Sequence, residues 1–330
     1  MMIYNLFSTY LIMINLLLFN ISSLFFSDLL MIWFIMEISN LLFIYLMSTI
    51  MNQKKLIFLY FIIQIMASFT IIYTIILNFL MINYNFMNPL MTLAIFLKMS
   101  IPPFHLWLPL ICRSMPWNII AFLLTIQKIP PFYILSLMKM NSLCLYITLL
   151  LTSLIPPYML MINTNIKILL AYSSINQSGW MIIMIYFKNM LWLKYFIFYT
   201  FITFIFLNMF HYYNIFMNMN IFSNSKWNIF ILLYMFNMAS LPPFSFFFLK
   251  WYSLFLIMYN SNLFFILMLM MISSLIMLYI YVSMMIYSMF MNKFMFKFFK
   301  FIDLPQSFLN YFKLYSNIFT LLMSLIILIL

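Results

Sequence analysis

An all-α polytopic membrane protein is the fold class this sequence predicts, and three observations predict it. Hydrophobic residues fill 68% of the 330 positions and charged residues only 5%, where a soluble domain carries about 25% charged. Apolar segments of about 20 residues, long enough to cross a bilayer as a helix, recur from end to end. The alternating polarity of a β-barrel, in segments of about ten residues, is absent.

Eleven spans follow in order, at about 3–21, 24–50, 56–82, 89–111, 117–138, 143–161, 166–186, 192–213, 227–258, 262–291 and 313–330. Asp28 stands at the start of the second, where an aspartate can cap a helix. Asn52 to Lys55 closes the second span, Asn83 to Asn88 the third and Arg113-Ser114 the fourth. Lys139 to Ser142, Asn163 to Asn165 and Lys188-Asn189 separate the next four. Asn214 to Lys226 precedes the ninth, and Lys293 to Lys313 precedes the last. The ninth span is too long for one straight helix, and Pro242-Pro243 interrupts it. The whole chain, 1–330, reads as one transmembrane domain.

Alternate loops differ in charge. Lys54, Lys55, Arg113, Lys167, Lys226, Lys293, Lys297 and Lys300 fall on one side, with Lys313 after them; Lys139, Lys188 and Lys194 fall on the other. The positive-inside rule puts the first side, and the N-terminus, on the side of synthesis. Met1 to Leu18 has no Lys or Arg and reads as neither a secretory signal nor a transit peptide, so synthesis is expected in the compartment that holds the membrane. The abundance of Phe, Met and Tyr, with Val282 the sole valine, fits an A+T-rich organelle genome.

Composition also excludes functions. One glycine, Gly179, cannot build a Rossmann or P-loop phosphate cradle. Cys112 and Cys144 form no CxxC, and His105 and His211 lie far apart, so iron–sulfur, zinc and bis-histidine haem sites are not expected. The net charge of +12 comes from single lysines scattered between apolar runs, which marks loops and not a nucleic-acid surface.

Double prolines recur at 101–104, 129–132, 155–158 and 241–244. A proline within a helix removes a backbone hydrogen bond, and in lipid the freed carbonyl needs protein or water. Interrupted segments in corresponding places of two halves point to inverted repeats and their site. Pro102 and Pro242 stand 140 residues apart, which suits a first repeat over about 1–140 and a second over about 143–291, each with one proline-broken helix, before a last helix at about 313–330.

Four charges remain at membrane depth: Glu37, Lys98, Lys128 and Lys250. Each costs about 2.5–3.5 kcal/mol on insertion scales. An ion or proton path is the default reading; a Glu–Lys pair gluing helices, or snorkelling, is the plainer one. Desolvation is what lets a lysine release a proton near neutrality, and a neighbouring acid restores its grip. Sodium fits worse, because only one carboxylate lies at depth. His105 follows the first break and reads either as a proton relay or as a brace for the broken helix. His211, next to Tyr212 and Tyr213, reads as interfacial, and Asp303 as a solvated loop charge.

Five stretches resemble a known family: MIWFIMEISNLLF around Glu37, AIFLKMSIPPFHLWLP around Lys98, LLTIQKIPP around Lys128, KILLAYSSINQSGWM at 167–181 and SLPPFSFFFLKW around Lys250. Together they cover about 28–255 and are similar to chain 2 of NADH:ubiquinone oxidoreductase, the mitochondrially encoded subunit of respiratory complex I, most of all insect versions. The resemblance implies an antiporter-like subunit of the membrane arm in the mitochondrial inner membrane, with two inverted five-helix repeats. The N-terminus would face the matrix and the C-terminus the intermembrane space. Glu37, Lys98, Lys128 and Lys250 would form a charged axis that moves protons. Partners would be the other membrane-arm subunits, sister antiporter-like chains among them, and membrane lipids, including a bound phospholipid; no nucleic acid is implied. NADH, FMN, iron–sulfur clusters and ubiquinone would belong to partner subunits, with no cofactor in this chain. The family usually carries a glycine where this chain has Ser100, and glycines where it has Ala239-Ser240 and Phe246. Two other readings stay open: a structural scaffold of the membrane arm, and a free-standing cation/proton antiporter.

Overall fold

A computed structural model describes residues 2–80, 84–163, 165–187, 190–212, 233–242, 244–258 and 264–296. Regular structure among the described residues is helical throughout. The helices are α1 (Met2–Ser22), α2 (Leu29–Ile50), α3 (Lys54–Phe79), α4 (Tyr84–Met99), α5 (Trp107–Ser114), α6 (Trp117–Leu124), α7 (Ile129–Leu137), α8 (Ser142–Ile162), α9 (Ile166–Tyr186) and α10 (Leu191–Tyr212). A short α11 (233–238), α12 (Ser245–Met258) and α13 (Phe264–Phe296) complete them. Asp303 and the eleventh predicted span, 313–330, lie outside the described residues.

Among the described residues, eight helical stretches are long and apolar enough to cross a membrane. The fourth and ninth predicted spans are built as two shorter helices each, α4 with α5 and α11 with α12. Asp28 occupies the N-cap of α2, but only through its backbone: its carbonyl accepts from Ile32 N at 3.1 Å, and its side chain makes no capping bond.

The two broken spans end their first halves in the same way. Ser100 and Ser240 both adopt left-handed backbone, φ 60° and 57°. Ile101 N donates to Phe96 O at 2.9 Å and Ser100 N to Leu97 O at 3.4 Å; Leu241 N donates to Phe236 O at 3.2 Å and Ser240 N to Asn237 O at 2.9 Å. This paired pattern terminates a helix on a left-handed residue, and the prolines that follow cannot restart it. Phe104 N to Ile101 O and Phe244 N to Leu241 O extend the correspondence at the same spacing.

The fifth predicted span carries a further interruption. A 3-10 turn, Ile126–Lys128, separates α6 from α7, and Pro130-Pro131 sit in the first turn of α7, where the missing N–H groups have no intrahelical partner anyway. Pro156-Pro157 lie inside α8 without ending it.

α9 is the central element. Its membrane-length stretch is 94% buried, against 28% for α3 and 22% for α1. It contacts α5, α7, α8, α10 and α12. Gly179 lets α8 approach, since a Cβ there would meet Thr152 Oγ1 at 2.8 Å.

Candidate functional site

The four predicted membrane-depth charges lie at or beside the three interruptions or against them. Lys98 is one residue from the end of α4, and its ammonium reaches Glu37 on α2 with Nζ to Oε1 at 3.2 Å. The Lys98 side chain is 4% exposed and that of Glu37 25%. This is the one Lys–Glu ion pair among the described residues. The carbonyls freed by the first break are met from the protein: Trp107 Nε1 donates to Leu97 O at 3.2 Å and Gln64 Nε2 to Lys98 O at 3.4 Å.

Lys128 closes the 3-10 turn between α6 and α7 and is 4% exposed. Its ammonium donates to Ser174 Oγ on α9 at 3.2 Å, and Gln127 Nε2 beside it donates to Ser39 O on α2 at 3.3 Å. A small cavity joins the two sites. Lys98 and Lys128 both line it, with Asn40, Tyr60, Gln64 and Gln127 among the walls, and its free volume of about 10 Å³ is close to what one water needs.

Lys250 lies on α12, beyond the second break, and is 6% exposed. Its ammonium donates to Ser240 Oγ at 2.8 Å, the hydroxyl of the left-handed residue itself, and stands 5.8 Å from the centre of the Trp180 ring on α9. Asn237 Oδ1 accepts from Ser245 Oγ at 3.0 Å and from Phe246 N at 3.4 Å, so an amide from the first half-helix caps the second.

His105 Nδ1 sits 3.2 Å from Pro103 O, within the break. Its Nε2 is buried and makes no hydrogen bond among the described residues. The ring lies 6.3 Å from that of Tyr172 on α9. His211 is exposed in the last turn of α10.

Two features escaped the sequence reading. Lys167, counted there as a loop charge, is 8% exposed in the first turn of α9; its ammonium donates to Met115 O at 2.5 Å and lies 5.1 Å from the Trp117 ring centre. The second is a polar seam on α9. Ser173, Ser174, Asn176, Gln177 and Ser178 are all buried. Asn176 Oδ1 accepts from Ser273 Oγ at 3.5 Å, and Gln177 Oε1 accepts from Tyr195 Oη.

Broken helices with charge at membrane depth define the class: an antiporter-like polytopic membrane protein. Residues 27–277 match the family described as NADH:quinone oxidoreductase/Mrp antiporter, TM, and the chain belongs to that family. It is 31% identical over 159 residues to NADH-ubiquinone oxidoreductase chain 2 of Aedes aegypti, covering 47% of this chain and 46% of that one. It is 30% identical over 173 residues to the chain 2 protein of Anopheles gambiae, covering 51% and 50%. The chain spans about half the length of the curated relatives it matches. The fold is that of a chain in respiratory complex I from Thermus thermophilus with bound aureothin, with a TM-score of 0.74 at 20% identity over 85% of this chain and 70% of that one.

Proposed function

We propose that this chain is a proton-translocating, antiporter-like subunit in the membrane arm of mitochondrial NADH:ubiquinone oxidoreductase. Protons would move along Glu37, Lys98, Lys128 and Lys250, with His105 as a side relay. The redox chemistry of NADH, flavin, iron–sulfur clusters and quinone would take place in partner chains. The observation that carries this reading is the cavity shared by Lys98 and Lys128. It offers a water-sized step between two buried ammonium groups that otherwise belong to different broken helices. The membership of the family and the names of its relatives support the same assignment.

In this scheme the Glu37–Lys98 distance is the control. While the pair is closed, the carboxylate balances the charge on Lys98. When it opens, that charge faces the cavity and repels a proton on Lys128 toward the α9 seam. Ser174 receives Lys128 on one face of that seam, and Trp180, six residues and about 9 Å further along the helix, stands beneath Lys250. The matching bonds at Ser100 and Ser240 support two inverted five-helix repeats, over about 1–140 and 143–291. The charge bias of the loops supports a matrix N-terminus, an intermembrane-space C-terminus and an inner-membrane location.

Replacing Lys128 by Met in an assembled complex tests the reading. The expected result is a lower proton-to-electron ratio or lost activity. Normal assembly with unchanged pumping would remove Lys128 from the path. The direct ion pair at 3.2 Å favours a second reading, a scaffold whose charges only bind helices together. It predicts that Lys98→Met harms assembly while every complex that does assemble pumps normally.

A further inference from the structure

Five helix ends meet around a cleft on the basic face of the molecule. α2 and α5 finish there at Ile50 and Ser114, and α3, α6 and α9 begin there. The cleft is open to the outside, has a volume of about 340 Å³, and is lined by Asn52, Gln53, Ser114, Pro116 and Lys167 among others. Lys54, Lys55 and Arg113 are exposed on the same helix ends.

The charge balance of this cleft is incomplete. Lys167 is a buried cation, and among the described residues its polar partners are one carbonyl, Met115 O, and one aromatic ring, Trp117. Among the described residues, no carboxylate is within reach of its ammonium. The chain has three acids. Glu37 is committed to Lys98. Asp28 heads α2 at the end opposite the cleft, about 30 Å of helix from Ile50. The first turns of α3, α6 and α9 add the positive ends of three helix dipoles, partly offset by the carbonyl ends of α2 and α5. An ammonium has three donors, and one carbonyl uses one of them.

We propose that this cleft binds a phosphate oxyanion, with Lys167 as its buried donor and the α3 start at Gln53 as its opposite wall. The phosphate can belong to an anionic phospholipid headgroup or be free in solution. Basic pockets between membrane helices take such headgroups, and the helix ends put this pocket at headgroup level, not at mid-membrane.

The test uses the assembled, delipidated complex in nonionic detergent and nitroxide-labelled phosphatidylglycerol, read as the motionally restricted fraction. Wild type and Lys167→Arg are expected to hold about one labelled lipid per chain that Lys167→Met does not, with at least a tenfold weaker apparent affinity in the latter. Gln53→Glu guards against misassembly. Gln53 is exposed at the N-cap of α3, where an acid suits the helix, yet its carboxylate would repel the phosphate, so the same tenfold loss is expected. Millimolar inorganic phosphate that displaces the label identifies a free-phosphate site; failure to displace it identifies a lipid site. Equal lipid and phosphate binding in all four forms would overturn the proposal. So would a cross-link from position 53 to an acidic residue of a neighbouring subunit.

Discussion

Ser100 and Ser240 hold the same left-handed conformation, yet glycine at the two positions should act with opposite signs. A non-glycine residue in this region costs roughly 1–2 kcal/mol. Glycine removes that cost but gives the unfolded chain roughly 0.5–1 kcal/mol of extra freedom. Ser100→Gly should therefore stabilise by about 0.5–1 kcal/mol. Ser240→Gly gains the same amount but deletes the hydroxyl that accepts from the Lys250 ammonium at 2.8 Å. A hydrogen bond to a charged group contributes about 1.5–3 kcal/mol, so the net effect there is a loss of about 1–2 kcal/mol. The assay is reversible denaturation of the purified chain in mixed micelles with increasing sodium dodecyl sulfate, followed by tryptophan fluorescence. The midpoint should rise for Ser100→Gly and fall for Ser240→Gly. Shifts of one sign and similar size would refute the argument, because they would mean that backbone strain alone distinguishes these positions. A Ser240→Gly/Lys250→Met double variant should recover most of the loss.

Gly179→Ala should destabilise by about 1–3 kcal/mol through overpacking, since the new Cβ meets Thr152 Oγ1 at 2.8 Å and Met270 Cε at 3.2 Å. Thr152→Ala should return part of that in the same denaturation assay, and additivity of the two changes would count against the contact. Trp107→Phe keeps an aromatic ring but strips the indole donor from Leu97 O, leaving that carbonyl the longer bond from Ser100 N at 3.4 Å; losing one hydrogen bond costs about 0.5–1.5 kcal/mol, and a denaturation midpoint equal to wild type would argue that water replaces the indole. Glu37→Gln leaves the Lys98 ammonium without an anion. Breaking a buried pair costs about 3–5 kcal/mol, with the lower end expected here because the Glu37 side chain is 25% exposed. Native gels should show less assembled complex, and Glu37→Gln/Lys98→Met should restore it; full assembly of the single variant would contradict a structural contribution from the pair.

The sequence reading located the four membrane-depth charges because an ionisable group in an apolar run has no cheap explanation. It located the first and last breaks for a related reason. It set those breaks apart from the other two proline pairs by their 140-residue spacing alone, and the structure supplies the physical difference. In both true breaks a serine in left-handed backbone stands two residues before the first proline, Ser100 and Ser240. The corresponding residue before Pro130 is Lys128, at φ −87°, and before Pro156 it is Leu154, within α8. Proline alone thus leaves three outcomes open: a break, a helix start, or an uninterrupted helix. Lys167 was misplaced because a lysine just after an Asn-rich loop reads as solvated, and its cover comes from Met115 and Trp117, some fifty residues away in sequence. The α9 seam was quoted for its resemblance and not for its chemistry. Serine and asparagine cost little singly in a helix, so nothing local marks Ser173, Ser174, Asn176, Gln177 and Ser178 as a core.

These contacts also show why the membrane-depth charges cannot act alike. Among the described residues, only Lys98 of the three lysines meets a carboxylate. Lys128 is met by the Ser174 hydroxyl, and Lys250 by the Ser240 hydroxyl and the face of Trp180. A hydroxyl contact is lost when a helix shifts by about an ångström and exerts little beyond that range, whereas the net charge of a carboxylate is felt over several ångströms in a poorly screened interior. The Glu37–Lys98 pair is therefore the place where a small movement of α2 against α4 alters the charge seen across the shared cavity. Glu37 is also the member of the four with part of its side chain open to the outside of the chain. On the proposed path, a neighbouring subunit that touched α2 would act first on that carboxylate, and through it on Lys128 across the shared cavity.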